Sequence, residues 1–304
     1  MPPYFRSMEA SFLSVTIPTS WQEVTDEQLY YVFRLLGKGI PTERVMMYAF
    51  MRFAGLHIVK EQNGSVLIVR KGNKAYPIKK EDLQYGALRL EFLEKPSDYP
   101  VRLSTYKGKS AVDAELHDFP FGHYLQVENY FQAYLQTGNE ECIAAIATFL
   151  YPDFTGKPDK TMTYNLLSWV YGIKRYFTTE FPDLFRAVPQ KNNENAETDF
   201  PDMKAITEAE IRALNGGDIT KTKEILEADT WGALAELNRE LNSGRVQRGN
   251  AEWNTLTRAI RETKDAISQV NAEMRTVQQF FFIALHLFCS EQLRKVVANF
   301  SGNQ

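Results

Sequence analysis

Gly108-Lys109-Ser110 is the one short stretch of this 304-residue chain that resembles phosphate chemistry. In a phosphate-cradling loop such a lysine meets the phosphates and such a hydroxyl meets magnesium, with a strand before the loop and a helix after it. Here Leu103 stands where the first glycine of that loop is required, and YPVRL contains Pro100 and follows Pro96 instead of reading as a clear buried strand. An ordinary basic loop is the preferred reading. His117, Asp118 and His123, with Glu128 a turn or two further on, offer nitrogen and oxygen donors of the kind that hold a divalent metal. Their spacing fits no ligand template, and the intervening FPFG reads as a turn.

Other chemistries lack even this much. No G-x-S-x-G elbow and no H-E-x-x-H helix is present, and neither Cys142 nor Cys289 has a neighbouring cluster like Cys-His machinery. The sequence therefore assigns no catalytic, cofactor-binding or metal-binding residue, and an enzyme is not expected. Two cysteines far apart in apolar surroundings argue against a disulfide framework and fit a reducing cytoplasm. The N-terminal stretch has no apolar run of signal-peptide length, which supports the same compartment. Thirty-five Lys and Arg against 38 Asp and Glu leave a net charge of -3, so no global field recruits nucleic acid or an anionic membrane. GIKRYFTTEF interleaves rings with cations, as a nucleic-acid platform would, but its helical spacing makes the rings core residues first.

The elements that must carry these residues read as α+β, predominantly helical. Thr25-Asp26-Glu27-Gln28 is a capping box, and Leu29, Val32, Phe33 and Leu36 then share one helical face. Pro41-Thr42 opens a second helix bearing Val45, Met46, Ala49, Phe50 and Phe53, so the pair forms a helical hairpin. The period then falls to two: LHIVKEQ, SVLIVRKG and NKAYPIKK are two or three strands, with Asn63-Gly64 as a tight turn. KEDLQYGALRLEFLEK reads as a further helix.

From residue 111 three apolar helices follow: HYLQVENYFQAYLQT, EECIAAIATFLYP and TYNLLSWVYGIKRYFTTEF. A polar, proline-bearing linker covers 187 to 204. Short helices come next, one opening with a box at Thr207 and another ending at Gly244. The expected units are an N-terminal α+β domain at 1–110, a helical domain at 111–186, a linker with short helices at 187–248 and a long helix at 249–304.

That last helix carries the most regular pattern. Trp253, Leu256, Ile260, Thr263, Ile267, Val270, Met274, Val277, Phe281, Ala284 and Phe288 alternate in steps of three and four, a seven-residue repeat that predicts a coiled-coil seam. A long amphipathic helix packed on its own domain would show the same stripe. FFFIALHLFC, within it, is about half the length a membrane span needs and continues the seam register, so no membrane anchor is expected.

Taken together, IPTSWQEVTDEQLYYVFRLL, RVMMYAFMRFAGL, a short hairpin, EFLEKPSDYPVRL, HYLQVENYFQAYLQT, SWVYGIKRYFTTEFPDLF and EILEADTWGALAELN resemble a group of proteins from phages and prophages of anaerobic gut bacteria. Genes for such proteins tend to lie in the tail-morphogenesis region near the tape-measure gene. The resemblance spans roughly residues 15 to 240, with Trp21, Trp169, Phe181-Pro182 and Trp231 as landmarks, and these are fold landmarks rather than catalytic motifs. It implies a non-enzymatic role in tail assembly, as a chaperone that shields the tape-measure helix in the host cytoplasm. The alternatives are a tail or connector subunit that stays in the virion, and a nucleotide-dependent factor using Lys109 and Ser110. Phage tail or tape-measure proteins are the implied partners, with self-association through the seam.

Overall fold

The computed structural model describes residues 13–62, 64–185 and 203–242. Within them, helices dominate and two small antiparallel sheets are present, so the chain is α+β and mostly helical. The first helix, α1 (Asp26–Gly37), begins with the capping box read from the sequence: Thr25 Oγ1 accepts from Gln28 N–H at 3.4 Å, and Gln28 Oε1 accepts from Thr25 N–H at 3.0 Å. Its neighbour α2 (Thr42–Phe53) buries Val45, Met46, Ala49 and Phe50, the face the spacing predicted.

Three strands follow, β1 (His57–Gln62), β2 (Val66–Lys71) and β3 (Lys74–Lys79), in the order β1-β2-β3. β2 alternates most deeply, with Leu67 and Val69 buried, and β3 follows with Tyr76 and Ile78 half-buried against the core; every residue of β1 is exposed. The register skips at Val59, between Ile58 paired with Val69 and Lys60 paired with Ile68, so Val59 is an extra, bulged residue.

Then comes α3 (Lys80–Leu88), which is shorter than its apolar pattern suggested. Residues Glu91–Glu94 form a separate 3-10 turn after it. Gly86 lets α3 approach α2: a Cβ there would lie 2.3 Å from the Phe50 ring tip.

A two-stranded hairpin, β4 (Thr105–Tyr106) and β5 (Lys109–Ser110), leads into α4 (Phe121–Thr137), α5 (Glu140–Leu150) and α6 (Lys160–Glu180). Asn139 and Asp159 cap α5 and α6 through side-chain oxygens, and left-handed Gly138 ends α4. The core is continuous from Trp21 to Leu237, and α1 packs directly on α6. Trp169, Tyr151, Phe33, Phe121 and Phe177 are its largest fully enclosed side chains.

The last described helices are α7 (Met203–Asn215), α8 (Thr222–Glu227) and α9 (Thr230–Asn242). α7 starts four residues before the box at Thr207, which therefore lies inside the helix instead of capping it. α8 and α9 are split at Ala228 and Asp229, where the backbone is turned to other use: Phe121 N–H donates to Ala228 O, and Thr230 N–H donates to Phe119 O. Of the linker expected at 187–204, Met203 and Lys204 belong to α7; the rest of it and the whole heptad helix, with Trp253, Leu256, Ile260, Ile267, Val270, Met274, Val277, Phe281 and Phe288, lie outside the described residues.

Candidate functional site

Gly108-Lys109-Ser110 does not open a helix. Lys107 and Gly108, both at positive φ (49° and 76°), are the two turn residues of the β4–β5 hairpin, and Lys109 and Ser110 are β5 itself. Such a turn is a hairpin reversal, and the chain runs on from it without the helix N-terminus a phosphate loop relies on.

The four candidate metal donors are also separated. His117 meets Glu115 and lies flat on Trp231, with ring centroids 4.5 Å apart. His123, near the start of α4, packs against the rings of Phe119 and Phe149. Glu128, two turns along α4, points into the core and pairs with Lys174 of α6. No group of three or more His, Cys, Asp or Glu among the described residues is arranged to hold a metal. Cys142 is half-buried and free.

What the structure does assemble is a carboxylate knot around residues 113–118. Asp113 Oδ1 accepts from the backbone N–H groups of Glu115 (3.0 Å) and His117 (3.2 Å), which curls the loop. Leu116 and Asp118 then sit at φ 63° and 55°, a left-handed conformation that an aspartate tolerates and a leucine seldom adopts. The curled loop sends the Glu115 carboxylate toward three groups: the Tyr99 hydroxyl donates a short hydrogen bond to it, the Tyr176 hydroxyl donates at 3.4 Å, and His117 Nε2 lies at 3.2 Å.

The surrounding backbone is held just as firmly. Trp231 Nε1 donates to Glu115 O at 2.7 Å, and Trp169 Nε1 donates to Ala114 O at 2.8 Å. Gly172 of α6 lies against the Tyr99 segment so closely that a Cβ would fall 2.4 Å from Tyr99 O. Loop 97–103, α6 and α9 thus converge on the loop that carries Glu115.

Electrostatically the knot holds protons in place. Tyr99 is pushed up to about 12, chiefly because its hydrogen bond to Glu115 favours the neutral phenol, with burial adding to the effect. Tyr176 is raised as well, by burial first and then by the Glu115 charge. A carboxylate engaged by two neutral phenols and an imidazole is a poor general base, and no Ser or Cys lies among its partners. Its physical role is to position the loop.

A second ionic group lies inside the helical layer. Glu128 and Lys174 form a short ion pair, both nearly fully buried, and Gln132 Nε2 donates to Glu128 Oε1 at 3.1 Å. Glu128 Oε2 is buried without a partner. Glu210 of α7 is raised from 4.5 to about 8, first by burial and then by the neighbouring Glu128 charge, with Lys174 partly offsetting both. At neutral pH it is therefore mostly the uncharged acid. The sequence read Glu210 as the last residue of the box at Thr207 and Lys174 as a cation of GIKRYFTTEF; neither motif joins them to Glu128, and only the packing brings them together.

The exposed apolar side chains are unevenly distributed. Of the eight large ones on the surface of the described residues, six lie between residues 30 and 88: Tyr30, Tyr48, Ile58, Val59, Tyr85 and Leu88. The same region carries a concentration of charge, for residues 57–80 hold six Lys or Arg and a single acid in a chain that is acidic as a whole. No helix among the described residues is long and apolar enough to cross a membrane. No protein-family model, no curated protein and no solved structure matches the chain.

Proposed function

We propose that this protein works without chemistry of its own, by protein contacts during assembly of a phage tail. In that role it would act as a chaperone for the tape-measure protein. The observation that carries the reading is the clustering of bare apolar and aromatic side chains on the N-terminal helices and the three-stranded sheet. Single exposed apolar residues are ordinary, and it is their number within residues 30–88, six of the eight among the described residues, that points to this region as the contact surface. The two carboxylates singled out above support the same side of the argument, since Glu115 is engaged by Tyr99, Tyr176 and His117 and Glu128 is buried against Lys174.

The tail context rests on the likeness of residues 15 to 240 to phage and prophage proteins. A virion subunit would use the same kind of surface, and quantitative mass spectrometry of purified particles separates the two. The chaperone reading expects the protein in infected-cell extracts and little or none in particles. A fixed copy number per particle would overturn it in favour of the subunit.

A further inference from the structure

β1 is an edge strand with no neighbour on its outer side: among the described residues it pairs with β2 alone. Such an edge exposes backbone N–H and C=O groups that can receive another strand. Proteins guard such edges with bulges and lysines, and β1 has a bulge at Val59 and a lysine at position 60. A guarded edge has no use for bare β-branched side chains, yet Ile58 and Val59 are 57% and 55% exposed.

The pairing register fixes which side chains share each face. On the face turned away from the body lie His57 beside Arg70 and Ala75, Lys60 beside Ile68 and Pro77, and Gln62 beside Val66 and Lys79. On the body face lie Ile58 beside Val69 and Tyr76, and Glu61 beside Leu67 and Ile78. Glu61 is already paired with Lys80 at 2.8 Å. Lys60, Arg70, Lys74 and Lys79 are exposed and form no ion pair among the described residues, so the sheet presents cations in search of counter-charge.

We propose that the β1 edge takes up an extended acidic segment of a partner protein as a fourth strand, one whose residues alternate between acid and aliphatic. Acids would fall on the outer face near Lys60 and Arg70, and aliphatics would continue the body face beside Ile58. A second copy of this chain is the wrong occupant, because two such sheets would meet with like charges. A nucleic acid is also disfavoured: apart from His57 the outer face offers no ring on which bases could stack. The inference rests on the contact-protein reading above and adds to it an extended segment that would bind at this edge.

The test uses the full chain and a fluorescein-labelled peptide of alternating Glu and Val, read by anisotropy. Binding should weaken at least tenfold for the same peptide N-methylated on alternate backbone nitrogens, for a Lys-and-Val peptide, and for the Lys60→Glu, Arg70→Glu double variant. Both substitutions are on the surface, and an unchanged melting temperature verifies the fold. The proposal is overturned by absence of binding, by equal binding of the N-methylated peptide, by tighter binding of a single-stranded oligonucleotide, or by a dimer in wild type that the double variant abolishes. Because the probe is synthetic, a negative result leaves the tail-assembly reading to its own test in particles.

Discussion

Glu115 makes its loop what it is by accepting hydrogen bonds that would otherwise be lost at a half-buried position. Replacing it with Gln keeps the shape but removes the charge that holds Tyr99 neutral. In spectra of tyrosine labelled with carbon-13, the Tyr99 ionisation should then move from about 12 down toward the ordinary 10 of a free phenol. An unchanged Tyr99 titration would mean that burial, and not the hydrogen bond, sets it.

Glu210 has the opposite character, a carboxyl that folding keeps protonated. Its folded value of about 8 lies above the 4.5 of an ordinary side chain, so between those values the unfolded chain has released a proton that the folded chain retains. Its stabilising contribution is full below pH 4.5 and is lost as pH rises to about 8. Urea unfolding measured at pH 5, 6, 7 and 8 should show stability from this group declining across that window, and Glu210→Gln should flatten the decline. None of this was visible in the sequence. The sequence grouped Glu128 with His117 and His123 by proximity along the chain, whereas its true partners, Lys174 and Glu210, are 46 and 82 positions away.

Among the elements, those whose signals are local were legible. The capping box at Thr25, the hairpin α1–α2, the period-two strands and the three apolar helices α4 to α6 all formed where spacing and caps placed them. Thr25→Ala should cost about 1 kcal/mol in chemical denaturation, the ordinary worth of such a cap. Where the sequence misled, tertiary contacts had the deciding vote. Thr207 carries a good box, yet α7 begins at Met203, and α8 parts from α9 because Ala228 and Thr230 bond to the chain around Phe119 and Phe121.

Two glycines test that packing. In Gly172→Ala the new methyl meets the fixed backbone at Tyr99, and in Gly86→Ala it meets the movable tip of the Phe50 ring. The first should cost roughly 1–3 kcal/mol, and the second should cost less because a ring can shift where a backbone cannot. Equal losses would mean that the Tyr99 segment yields as readily as a side chain.

For the whole molecule, the distribution of function is the central matter. The helical body from α4 to α9 encloses the Glu128–Lys174 pair and holds most of the large buried rings, and the N-terminal helices and sheet carry six of the eight large exposed apolar side chains of the described residues. The heptad stretch after residue 249 would add a second contact region. Removing residues 249 to 304 should therefore change the oligomeric state seen by light scattering, and an unchanged, folded monomer would refute the seam. The most direct test of the account is co-expression of the full chain with a phage tape-measure protein, followed by size-exclusion chromatography with light scattering. The account predicts a soluble complex containing both proteins. A tape-measure protein that stays insoluble while this chain elutes alone would contradict it.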